Sequence, residues 1–97
     1  MKSLIKKAES ALEIYRYLPP DNGYRRRIDK ALEELEDHPY FEVLKMRYQD
    51  KLTLEQIAEQ FDCNYQTIAK HKDKLLETVA KIVFPEEYLI LIMDEEA

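Results

Sequence analysis

Asn64, Tyr65, Gln66, Thr67, Lys70, Lys72 and Lys74 crowd one short stretch and together carry amide, phenol, hydroxyl and ammonium groups. Such groups form hydrogen bonds and ion pairs with base edges and phosphates. On a helix, Gln66 and Lys70 lie one turn apart and share a face with Asn64, Tyr65, Ala69 and Asp73, the spacing by which a recognition helix offers its first turns to a DNA groove. On that reading Gln66 and Lys70 approach bases, while Lys72 and Lys74 touch phosphates. A second basic group, Arg25-Arg26-Arg27, stands where another helix is expected to open. Positive charge there opposes the helix dipole by roughly a few tenths of a kcal/mol per residue. The trio is either a phosphate-contacting arm or an exposed basic turn balanced by Asp21, Asp29 and Glu33.

These residues need a scaffold, and residues 53–79 supply one. Thr53 followed by Gln56 is a capping box, so a helix starts at Leu54. Leu54, Ile57, Ala58 and Phe61 then fall on one face. Asp62-Cys63-Asn64 breaks the pattern, and Asn64 caps a second, longer helix. Ala58 is small enough for two steeply crossing backbones, Cys63 can pack as a small hydrophobe inside the turn, and Ile68 anchors the second helix. This is the grammar of a helix-turn-helix, weighed against an ordinary helical hairpin that binds nothing. Two positions depart from the usual pattern: Asp62 stands where the turn often has glycine, and His71 where the second helix is usually apolar.

The chain of 97 residues is read as one domain with a 45% apolar share, one glycine and four prolines, a composition that favours helix almost throughout. A single cysteine excludes an intramolecular disulfide, and the absence of a signal peptide or of a membrane-length apolar run leads to the expectation of a cytoplasmic protein with no membrane partner. The net charge of −5 is unevenly placed, because residues 85–97 carry five acids and no base while the preceding part is neutral. From position 64 to 84, Lys70, Lys72, Lys74 and Lys81 outweigh Asp73 and Glu77. Such a small excess supports only modest nonspecific affinity for nucleic acid. His38 and His71 lie far apart without a metal-spaced carboxylate cluster, there is no glycine-rich phosphate loop, and Cys63 falls at a core position. Neither catalysis nor a metal or other cofactor is expected.

Elsewhere, residues 2–18 place Leu4, Ala8, Ala11, Tyr15 and Leu18 on a heptad seam widened by Ile5, Leu12 and Ile14. The run Pro19-Pro20-Asp21-Asn22-Gly23 turns the chain into a second helix over 24–37, with Tyr24, Ile28, Ala31, Leu32 and Leu35 on its apolar face. A third helix is expected over 40–49 with Pro39 in its first turn. Pro85 interrupts the recognition helix near Phe84, and residues 89–93, Leu-Ile-Leu-Ile-Met, read equally as a buried helix or a strand. They should cover the N-terminal hairpin or join two copies, and a homodimer through this run or the seam is expected.

Residues 43–74, within the run His-Pro-Tyr-Phe-Glu-Val-Leu-Lys-Met-Arg-Tyr-Gln-Asp-Lys-Leu-Thr-Leu-Glu-Gln-Ile-Ala-Glu-Gln-Phe and the helix after it, resemble region four of bacterial sigma factors: an apolar pair, Leu-Arg-Tyr, a short polar turn, then Glu-Gln-Ile-Ala. Phe61-Asp62-Cys63 looks like that family's turn. By size and order of elements the chain is also similar to ArpU and RinA type transcription regulators of phages and prophages. The resemblance implies control of late genes through double-stranded promoter DNA, with RNA polymerase as a further partner.

The expected architecture is therefore all-α: a helical hairpin over 1–37, a helix-turn-helix unit over 39–84 and an acidic, apolar tail over 85–97. The expected function is sequence-specific DNA binding in transcription regulation. Its rivals are a module that docks on RNA polymerase or another regulator without reading DNA, and the DNA-recognition subunit of a phage packaging complex.

Overall fold

A computed structural model of the protein describes residues 1–96. Among these the regular elements are all helical: α1 (Lys2–Ile14), a 3-10 turn (Tyr15–Tyr17), α2 (Gly23–Leu35), α3 (Glu42–Tyr48), α4 (Leu54–Gln60), α5 (Tyr65–Val83) and α6 (Pro85–Glu96). No helix of the described residues is long and apolar enough to cross a membrane. Ala97 of the acidic tail lies outside the described residues.

The longest helix is the axis of the molecule. Leu75, Leu76, Val79, Ala80 and Val83 form a continuous apolar stripe along the second half of α5. α1 and α2 pack on α5, burying Leu4, Ala8, Ala11 and Leu12 from one helix and Ile28, Ala31 and Leu35 from the other. The seam of α1 is thus spent inside the chain. A smaller core of Val43, Ile57, Ala58 and Ile68 sits at the other end of α5, between α3 and α4, and Tyr40 touches both cores.

Helix ends follow local chemistry and correct four expected boundaries. α1 stops at Ile14 because residues 15–17 tighten into 3-10 geometry, and Leu18 is extended (φ −87°, ψ 134°), as a residue before proline must be. α2 begins one residue early, at Gly23, because Asn22 caps it by accepting from the amides of Tyr24 and Arg25; it ends at Leu35, two residues short. α3 begins at Glu42, since Pro39, Tyr40 and Phe41 form successive turns closed by the amides of Phe41, Val43 and Leu44. Residues 89–93 are helical, within α6, where Pro85 occupies the first position and its missing N–H costs nothing.

Candidate nucleic-acid interface

The turn between α4 and α5 is built by side chains that its sequence announces. Thr53 Oγ1 accepts from the Gln56 amide at 3.2 Å and Gln56 Oε1 accepts from the Thr53 amide at 2.9 Å, the reciprocal bonds of a capping box. At the far end of α4, Asp62 takes a left-handed backbone (φ 52°). Its amide donates to the Glu59 carbonyl and that of Cys63 to Ala58, which closes a Schellman motif in the place where glycine is commoner. Cys63 is half-buried and packs on the smaller core. Asn64 then caps α5, its Oδ1 accepting from the amide of Thr67 at 2.8 Å and from the Thr67 hydroxyl at 2.9 Å. Ile68, fully buried, sets the rotation of α5 against α4.

That rotation decides which predicted side chains come together. Asn64, Tyr65, Gln66, Lys70, Asp73 and Lys74 are exposed, with Ala69 half-buried between them. By helical spacing they occupy one outward face of the first three turns of α5. Thr67 is half-buried and its hydroxyl is engaged with Asn64, so it shapes the helix start rather than extending the face.

Lys72 does not join them. It follows Ile68 by four residues, which turns it toward α1; its side chain is only 15% exposed, and its ammonium lies 3.7 Å from Glu9 and 3.4 Å from Asp73. Glu9 also accepts from the Tyr48 hydroxyl at 2.6 Å, so one carboxylate ties α1 to α3 and α5. Burial, and then the hydrogen bond to Glu9, push the Tyr48 phenol far above its usual range and keep it neutral.

The arginine trio is also elsewhere. Arg27 donates to the Val83 carbonyl at 3.3 Å, satisfying an orphan acceptor at the C-terminal end of α5. Eighteen residues of helix separate Val83 from Tyr65, about 27 Å at 1.5 Å per residue. Arg25 donates to the Leu18 carbonyl at 2.6 Å and lies over the Tyr15 ring, 4.8 Å from its centroid. Arg26 is exposed. Two of the three cations thus serve to hold the α1–α2 connection and the end of α5, which is the local reason for placing them against a helix dipole.

A feature that sequence reading passed over lies beside this exposed face. His38, Tyr40, Phe61 and His71 form a ring stack, with Tyr40 and His71 nearly parallel at 3.9 Å between centroids and Tyr40 and Phe61 at 5.3 Å. The stack fastens α5 to the turn before α3, which gives the His71 imidazole a packing role there. Its burial, then the neighbouring His38, Lys74 and Lys70, lower the His71 pKa from the ordinary value. The signal available in the sequence was His38-Pro39-Tyr40 in one run, but only the fold brings it to His71. Compared with protein-family models, curated proteins and solved structures, the chain matches none.

Proposed function

We propose that the protein binds duplex DNA in a sequence-dependent way and regulates transcription, as the resemblance to sigma region four and to the phage late-gene regulators suggests. The observation that carries this reading is the preorganised unit itself: a double-capped α4–turn–α5 whose outward face offers Gln66 and Lys70 one turn apart. Gln66 can hydrogen-bond an adenine edge with both amide atoms, Lys70 a guanine or a phosphate, and Lys74 extends the contact to the backbone. The interface loses Lys72, Arg25 and Arg27 from the expected cation set, so nonspecific affinity is weak and base contacts must supply most of the discrimination. The acidic, partly apolar α6 is what favours the second reading, a module that docks on polymerase or another regulator without reading DNA.

Titration of labelled duplexes from the protein's genomic neighbourhood and of random duplexes, at two salt concentrations, separates the two. Specific binding is expected, Gln66→Ala should relax preference at one or two base pairs by about 1–3 kcal/mol, and neutralising Lys70 or Lys74 should reduce the salt slope by about one each. Equal loss on specific and random DNA in the Gln66 variant would sink its base-reading role. No binding to either would favour the docking module.

A further inference from the structure

We propose that the end of the molecule remote from the recognition face is a self-complementary docking surface, and that its occupant is a second copy of this chain. Among the described residues seven large hydrophobic side chains are exposed, and five fall in two adjoining places. Ile14 (49%) and Tyr24 (54%) line a cleft of about 460 Å³ between α1 and α2, with Ile28 and Phe84 inside it. Leu89 (57%), Ile90 (59%) and Met93 (61%) stand on the outer side of α6.

Charge tells what fits each. Among the described residues the charged side chains that line the cleft are Lys6 and Lys7, with Ser3 and Ser10 beside them and no acid. α6 carries acids and no base. One such pairing already exists within the chain, where Lys7 binds Glu87 and anchors the first turn of α6 at the cleft. Glu87, Ile90 and Asp94 are spaced by three and four residues, so this edge of α6 continues away from that anchor with an apolar and then an acidic side chain. Lys6 is exposed and in no ion pair among the described residues.

A surface with a basic apolar hollow beside an acidic apolar ridge complements itself after a half turn. In the pair, α6 of each copy lies in the α1–α2 cleft of the other, Ile90 against Ile14 and Tyr24, with Asp94 toward Lys6. Such an arrangement closes after two copies. It leaves both recognition faces free, because the cleft and α6 gather at the Phe84 end of α5. The pairing does not depend on DNA binding, and its test contains no DNA.

Sedimentation velocity of the full chain over a dilution series should show a monomer–dimer equilibrium. Ile90→Glu should abolish the dimer, and Lys6→Glu and Asp94→Lys should each weaken it by about tenfold or more. Mixing the Lys6→Glu and Asp94→Lys proteins should restore it, since one contact is then wild type and the other charge-reversed. Circular dichroism of each variant establishes that it is folded, and these surface positions leave the core intact. A wild-type monomer at every concentration, a dimer indifferent to Ile90→Glu, a mixture that fails to associate, or open-ended polymers would each overturn the proposal.

Discussion

The two halves of α5 live in different surroundings. From Leu75 to Val83 the helix is clasped by α1 and α2 and contributes five of the fourteen buried side chains of the larger core among the described residues. From Tyr65 to Lys74 it buries Ile68 alone, in a core of four, and the rest of its turns stay polar or only partly covered. Stability is concentrated at one end and hydrogen-bonding capacity at the other. At the unclasped end the position of α5 is set by its cap and the turn before it rather than by bulk burial.

The largest test of that division truncates one residue in each core. Leu76→Ala, at a fully buried site in the larger core, should cost about 2–5 kcal/mol and lower the unfolding transition of the whole chain. Ile57→Ala, also fully buried, removes a comparable side chain from a core with far fewer partners and should cost an amount near the lower end, about 2 kcal/mol. Native-state hydrogen exchange distinguishes them. The Ile57 variant should lose protection in α4 and the first turns of α5 while α1 keeps its own. Uniform loss along the chain would show that the two cores open as one.

The same contrast explains what the sequence could reveal. Thr53, Gln56, Asp62 and Asn64 act on backbone groups within five residues of themselves, so the α4–turn–α5 unit was legible from local spacing alone. The inward aim of Lys72 was legible in principle, since it repeats Ile68 one turn later. The roles of Arg25 and Arg27 were not, because their acceptors, Leu18 and Val83, become neighbours only once α2 has docked on α5. α6 was undecidable for a different reason: five consecutive apolar residues carry no period, and the choice of helix falls to its junction with α5 at Pro85. Nor could the heptad seam declare its partner, as α5 and a second copy of α1 would ask for the same spacing.

A smaller effect probes the cap that positions the exposed face at the start of α5. Asn64→Ala removes the acceptor for the Thr67 amide and hydroxyl and should cost about 1 kcal/mol. With so little burial near Tyr65, the loss should appear as fraying of the first turn of α5. Amide exchange at Gln66 and Thr67 should therefore accelerate more than at Val79. Equal acceleration at both ends would mean that the clasped half, and not the cap, holds the start of the helix.

The smallest effect separates the two regions by proton uptake. Tyr48, the titratable side chain of the larger core, is held neutral, whereas the seam between α5 and the turn before α3 holds His71 against Tyr40, with His38, Lys70 and Lys74 beside it. Burial in the stack, then His38, Lys74 and Lys70, hold the His71 pKa below its ordinary value. In the unfolded chain the imidazole takes a proton near pH 6.5, before the folded protein does. As pH falls through that value the unfolded state binds more protons, and stability declines until the folded imidazole is protonated as well. Urea midpoints at pH 7.5 and 5.5 should therefore differ more for the wild type than for His71→Gln, which cannot titrate. The change should reach exchange rates at Phe61 and His71 first and those at Ile28 last. If the glutamine variant keeps the full pH dependence, the slope arises elsewhere in the molecule, and the stack is only a packing contact.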